Sequence, residues 1–328
     1  MPYPNELYTT FSFVGSVLCA IPFYWHFKAR NTGTCLHMFW SGLGCLMQCI
    51  NSIVWNKNMV NRVPVYCDIS TRIQVAQNVA IPACSLCINR RLCKIATAKV
   101  MMPTDAEKRW TVIQDLMIGV GIPILQIIAQ YIVSPDRYNI YEDFGPFLTP
   151  GVVTPLTFIL FSAWPVAIGT VSLFYCVTAI CAFYKRQRQF KQMMSHSQGL
   201  SRGRYLRLMG ISATGILGTI PLGTYIIVIT AKEGVTPWQG WTATHSNYSE
   251  VIQIAGFIWR NDPGMANGLE MFRWLLVACA FVFFAFFGFT DETRQLYRRV
   301  YKSIASRIGC SRFIFHGPSY LCVVHSLC

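Results

Sequence analysis

Charge is scarce in this sequence. Asp, Glu, Lys and Arg make up 13% of its 328 residues, against roughly 25% in an average soluble domain. Acids are the scarcer sign, 14 against 28 basic residues. Catalytic signatures are also missing: there is no HExxH, no GxSxG, no P-loop and no GxGxxG opening a helix. The histidines His26, His37, His196, His245, His316 and His325 are scattered, and no CxxC pair is followed by a second, which argues against zinc. No internal repeat and no ion-coupling group near a helix midpoint is visible, as a transporter would need. Glu270–Thr290 contains no lysine, which excludes a retinal Schiff base there. The chain thus reads as neither an enzyme nor a cofactor carrier.

What is abundant is apolar sequence, 53% of residues. A bilayer core takes about 20 mostly apolar residues per helix. Seven stretches qualify: Leu7–Phe27, Cys35–Trp55, Ile69–Leu92, Trp110–Val133, Pro155–Tyr184, Tyr205–Ala231 and Glu270–Thr290. The fifth is the cleanest, with no charge between Phe144 and Tyr184, and the third the weakest, with Arg72, Gln74, Gln77 and Asn78. Met1–Glu6 has no basic residue, and the first stretch outruns a signal-peptide core, so it reads as a spanning helix rather than a cleaved leader. Most of the 14 cysteines fall inside these stretches, where they act as small apolar residues. The expected fold is an all-α bundle of seven transmembrane helices.

Lys and Arg set the expected orientation. One face carries Lys28 and Arg30, then a third loop with Arg90, Arg91, Lys94, Lys99, Lys108 and Arg109. It also carries a fifth loop with Lys185, Arg186, Arg188, Lys191, Arg202, Arg204 and Arg207, and a tail with Arg294, Arg298, Arg299, Lys302, Arg307 and Arg312. The other face has only Lys57, Arg62, Arg72, Arg137, Lys232, Arg260 and Arg273. The basic face is expected in the cytoplasm, which places the N-terminus outside and the C-terminus inside. The net charge of +14 is then a membrane signature that suits an anionic leaflet or an acidic partner, not nucleic acid.

The loop Lys232–Leu269 is long. Its apolar stretch Val251–Trp259 is too short to span and reads as a lid or interfacial segment. Asn247-Tyr248-Ser249 in the same loop is a glycosylation sequon. Beyond the last stretch, Thr293–Gly309 repeats Leu296, Val300, Ile304 and Ile308 every four residues, a pattern for a helix on the membrane surface. Cys310 after it is a candidate palmitoylation site. Pro22, Pro82, Pro123, Pro165 and Pro221 lie inside spans as candidate kinks. Gln74, Gln77, Asn78, Gln126 and Gln130 serve equally as cavity lining or as interhelical hydrogen bonds. Asp115, the one acid well inside a stretch, is either functional or simply at the inner interface.

Several segments match one family in order and spacing. They are Ile88-Asn89-Arg90-Arg91-Leu92, Asp115-Leu116 through Pro123, Tyr131-Ile132-Val133 and Arg137 to Gly145. Trp164-Pro165, Ser172-Leu173-Phe174-Tyr175, Arg204 to Met209, Thr219-Ile220-Pro221-Leu222, Trp259-Arg260 and Phe286 to Thr290 continue the series. The chain resembles, from about Leu7 to Ile304, the fungal mating-pheromone receptors of the a-factor receptor class, a branch of the G-protein-coupled receptors. It is most similar to the basidiomycete mating-type receptors. It also lacks features of rhodopsin-like receptors: no acid precedes Arg90, no NPxxY closes helix seven, and Ser134–Thr154 has no cysteine.

The resemblance implies a multi-pass plasma-membrane receptor for a small farnesylated, carboxymethylated peptide. It implies coupling to a heterotrimeric G protein and a mating MAP-kinase cascade. On that reading Asp68, Arg72, Glu142, Asp143, Arg260, Glu270 and Arg273 are candidates for holding the peptide. Asn89, Arg90, Arg91, Lys185, Arg186, Arg202, Arg204 and Arg207 are candidates for meeting the G protein. The first set is equally readable as interhelical or loop ion pairs, and the second as topology-setting charges. A second copy of the chain is a further candidate partner. A transporter or channel, or a receptor-like relative that senses no pheromone, remains the alternative.

Overall fold

The computed structural model describes residues 5–97, 104–148, 153–185, 202–232, 234–289 and 298–299. Seven helices among them run to 23 residues or more: α1 (Asn5–Lys28), α2 (Thr32–Val54), α3 (Pro64–Thr97), α4 (Asp105–Val133), α5 (Pro155–Lys185), α6 (Arg202–Lys232) and, after two short ones, α9 (Pro263–Phe287). The short helices are α7 (Trp241–Thr244) and α8 (Gly256–Asn261).

Among the described residues five segments are long and apolar enough to cross a membrane: Asn5–Lys28, Asp105–Val133, Pro155–Lys185, Ala213–Lys232 and Pro263–Phe287. The protein is therefore a multi-pass membrane protein. Helices α2 and α3 fall below that threshold because they are the most enclosed. Most of α2, including Ser41, Gln48, Asn51 and Ser52, and most of α3, including Ser70, Gln74, Gln77 and Asn89, is buried against neighbours. Helices packed among helices tolerate polar side chains that lipid would not.

Local chemistry sets the ends and irregularities. Thr104 caps α4 in a reciprocal box with Glu107: Glu107 N donates to Thr104 Oγ1 at 3.3 Å and Thr104 N to Glu107 Oε2 at 2.8 Å. Asp262 caps α9 by accepting from the N–H groups of Gly264 and Met265, with Pro263 in the first turn. That helix begins well before Glu270, the expected start. Both α4 and α5 contain a single π turn, Met117–Gly121 and Phe158–Ser162, each shortly before a proline. Pro123 has no N–H to give the Gly119 carbonyl, and Trp40 Nε1 donates to that carbonyl at 2.9 Å. In the second π turn Gln126 Nε2 donates to the Leu160 carbonyl at 3.2 Å.

At one end of the bundle the loops form a small sheet that the sequence did not suggest. β1 (Asn139–Tyr141) pairs antiparallel with β2 (Gly145–Phe147), and β3 (Gln253–Ile254) pairs parallel with β1, in the order β2-β1-β3. The expected lid Val251–Trp259 is thus partly strand and partly α8. Beneath the sheet lie Trp55, Cys67, Tyr138 and Ile140, and beside them Tyr141, Phe144, Trp259 and Leu269. At the opposite, basic end Cys35, Met38, Ile88, Leu92, Ala179, Phe183, Phe283 and Phe287 form one apolar cluster from α2, α3, α5 and α9. The expected surface helix Thr293–Gly309 lies outside the described residues apart from Arg298 and Arg299, which are helical, and Cys310 lies outside them as well.

Candidate functional site

The candidate ligand residues collect at the sheet end, already engaged with one another or with the loops. Asp68, in the second turn of α3, forms a bidentate ion pair with Arg137, whose Nε lies 2.7 Å from Oδ1. The hydrogen bond to that carboxylate lifts the Arg137 guanidinium above its ordinary value. One turn along α3, Arg72 reaches Gln130 Oε1 at 2.6 Å and the Tyr248 hydroxyl at 2.5 Å. It thereby joins α3, α4 and the 234–255 loop. Burial pushes the Tyr248 phenol up, and the nearby Arg72 charge opposes that.

The turn between β1 and β2 holds the next two. Glu142 Oε2 accepts from the Gly256 N–H at 2.5 Å, and Trp259 Nε1 donates to the Glu142 carbonyl at 3.2 Å. Asp143 has a positive φ of 64°. Its Oδ1 accepts from the Lys57 N–H at 2.7 Å, while Oδ2 pairs with Arg260. The Arg260 guanidinium also lies 4.8 Å from the Trp259 ring centroid. Three separate loops are pinned together here by one carboxylate.

Glu270 and Arg273 pair within α9, with Nε–Oε2 at 2.9 Å and Nη2–Oε1 at 2.6 Å. Trp274 Nε1 also donates to Glu270, at 3.0 Å. The Arg273 guanidinium lies 4.4 Å from the Tyr8 ring centroid. Asn247 is exposed in the turn after α7.

The coupling candidates lie at the basic end. Three consecutive α3 residues reach three different neighbours. Asn89 Nδ2 donates to Ser172 Oγ of α5 at 2.8 Å. Arg90 Nη2 meets Asp115 Oδ1 of α4 at 2.7 Å. Arg91 Nη1 donates to the Arg30 carbonyl at 2.8 Å and to Asn31 Oδ1 at 3.2 Å, in the turn between α1 and α2. Lys185 is exposed at the end of α5 and Arg207 is half-buried in α6. Arg186 lies outside the described residues, as do the side chains of Arg202 and Arg204.

Both partners of the charged pairs are visible in the sequence as charges, but which residue meets which is not. Gln130 makes the interhelical hydrogen bond that was one of the two expectations for it, whereas Tyr248 stands out in the sequence only as part of a sequon. Asn31 carries no signal, because a short polar residue in a turn has no distinguishing pattern, and Lys57 takes part through its backbone N–H, which no side-chain pattern records.

A long-helix bundle with a strand-bearing polar cap at one end and the tethered Asn89-Arg90-Arg91 triplet at the other defines a class, the multi-pass helical membrane proteins. Comparison with known proteins narrows it. The pheromone A receptor family matches residues 7–309, and the chain belongs to that family. It is 41% identical over 309 residues to the Pheromone B alpha 3 receptor of Schizophyllum commune, covering 94% of this chain and 49% of that protein. It is 30% identical over 294 residues to Pheromone receptor 1 of Mycosarcoma maydis, covering 89% of this chain and 82% of that protein. Against the Pheromone a factor receptor of Saccharomyces cerevisiae the identity is 24% over 296 residues, covering 88% and 60%. The chain spans about half the length of the Schizophyllum relatives.

Proposed function

We propose that this protein is a G-protein-coupled receptor that binds a farnesylated peptide pheromone and activates a heterotrimeric G protein. On this reading the seven long helices all span the plasma membrane, the sheet end faces outward and the basic end faces the cytoplasm. Membership of the pheromone A receptor family along residues 7–309 is the observation that carries it. The distribution of Lys and Arg supports the orientation.

The farnesyl chain would contribute about 0.8 kcal/mol per buried CH₂. Asp68, Arg72, Glu142, Asp143, Arg260, Glu270 and Arg273 belong to the end that would face the peptide, which would gain specificity by exchanging their present partners for its own polar groups. Such a ligand drives signalling only by binding the active packing more tightly than the resting one. The tethers of Asn89, Arg90 and Arg91 are contacts that a change of packing at the basic end would break, freeing those side chains, with Lys185, Arg186, Arg202, Arg204 and Arg207, for an acidic partner surface. Cys310 would anchor the segment that follows α9.

The test is a mating-response reporter strain that expresses the chain and is challenged with synthetic farnesylated peptides. Dose-dependent induction by a subset of them is the expected result. A receptor present at the cell surface that answers none of them, yet conducts solute flux in proteoliposomes, would overturn the proposal.

A further inference from the structure

Buried polar atoms without partners gather in one layer of the seam between α1, α2 and α9. The register of that seam is fixed on both sides of the layer. Toward the sheet end, Thr9 Oγ1 of α1 and Ser52 Oγ of α2 lie 2.6 Å apart. Deeper in, a Cβ on Gly15 would meet Cys45 Sγ at 3.2 Å and Ala280 Cβ at 3.4 Å, and Cys45 Sγ lies 3.8 Å from the Leu276 carbonyl. Because α1 and α2 run antiparallel, Ser12 and Gln48 fall at the level between these contacts. On α9 one turn above Leu276 is Arg273, stacked over Tyr8.

In this layer both amide atoms of Gln48 and Arg273 Nη1 have no hydrogen-bond partner among the described residues, while the Tyr8 and Ser12 hydroxyls have only each other. Each of the four residues is 2% exposed or less. Arg273 Nε and Nη2 each donate to Glu270, which also balances the charge. An unmet polar group in a low-dielectric interior is a standing penalty. Leucine, valine or alanine at positions 12 and 48 would remove it. Retaining such groups where apolar residues would pack is the pattern of a site kept for binding at the expense of stability.

The chemistry of the occupant follows from the atoms left over. A guanidinium N–H and an amide NH₂ are fixed donors, two hydroxyls donate or accept, and the Gln48 carbonyl is the one obligate acceptor. The set is donor-rich but already neutral, so it suits a carbonyl-type oxygen better than a cation. We infer that Arg273 and Gln48, with Ser12 and Tyr8, form a ligand subsite that takes a carbonyl oxygen of the bound lipopeptide. This rests on the receptor reading above and sharpens it, since it gives Arg273 a definite role and adds three residues from α1 and α2.

The experiment starts from a lipopeptide that activates the wild-type receptor and a series of analogues in which each carbonyl in turn is replaced by a methylene. Potency is compared on wild type, Gln48→Leu and Ser12→Ala, with surface expression and thermal midpoint measured on each. One analogue is expected to lose roughly tenfold in potency on wild type, the weight of one hydrogen bond. On Gln48→Leu that same analogue should lose nothing further, and the thermal midpoint of Gln48→Leu should match or exceed wild type. Additive losses for every analogue on both variants, or a Gln48→Leu receptor that is less stable but equally potent, would overturn the subsite. A wild-type receptor that no lipopeptide activates would instead bring down the receptor reading, and is told apart by that fact alone.

Discussion

The Arg90 guanidinium meets the Asp115 carboxylate at 2.7 Å between α3 and α4, with only 2% of the Asp115 side chain exposed. A buried pair is expensive to form and more expensive to halve, because the survivor is left charged and unpaired. Asp115→Ala should therefore destabilise the protein by about 3 kcal/mol or more. The double variant Asp115→Ala with Arg90→Ala should recover much of that loss. Thermal unfolding followed with a thiol-reactive dye checks both, because most of the described cysteines are buried and free in the folded state. Equal and additive losses would mean that the two residues act separately.

Gly145 sits at φ +91°, where a Cβ would lie 3.0 Å from Asn51 Cβ and 3.1 Å from Trp55 Cε3. Those neighbours belong to α2 and its end and cannot retreat as a flexible tip would. Gly145→Ala is expected to cost about 1–3 kcal/mol. Gly218, inside α6 with nothing within 4 Å of its would-be Cβ, is the contrast. Gly218→Ala should stabilise by about 0.5–1 kcal/mol. The same unfolding assay reads both, and a loss at Gly218 would contradict the described packing of α6.

Trp40 supplies the donor that Pro123 cannot give to Gly119. Trp40→Phe keeps an aromatic ring but removes the indole N–H, leaving a buried carbonyl unmet at a cost of about 1–3 kcal/mol beyond the loss of packing. Restoring the helical donor with Pro123→Ala in the same chain should reduce that cost. If Trp40→Phe costs as much in the Pro123→Ala background as in the wild type, the π turn owes nothing to the proline.

These positions show what the sequence could and could not display. Runs such as Phe158–Lys185 announce themselves by hydropathy, because lipid-facing residues must be apolar. Helices α2 and α3 are less apolar because most of their residues are buried in the bundle. Their polar residues Gln48, Gln74 and Asn89 obey the needs of neighbouring helices, which no local pattern records. The helical stop and start signals Thr104, Asp262 and Pro263 were readable in principle, and reading Asp262-Pro263 as a cap would have started α9 before Glu270. The strands Asn139–Tyr141 and Gln253–Ile254 were not readable, because two or three residues carry no period and β3 pairs across more than a hundred residues. At the site, charge marked Asp68, Asp143 and Arg260 as residues that needed explaining. Which neutral partners others would meet, Gln130 and Tyr248 for Arg72 and Ser172 for Asn89, is set by the packing.

Asn247 is exposed in the loop between α7 and β3, and that loop is the proposed outer face. A receptor expressed in a eukaryotic host should carry a glycan there. Glycosidase treatment should increase its gel mobility, and Asn247→Gln should abolish that shift. A glycosidase-insensitive chain that is nonetheless at the cell surface would count against the orientation.

The most direct test of the whole account is the sidedness of the two loop faces in intact cells. Epitopes would be placed between Asn58 and Arg62 and within 187–201, with surface expression checked separately. Antibody should label the first without permeabilisation and the second only after it. Labelling of the 187–201 epitope on intact cells would put the basic face outside and leave no route from pheromone to G protein.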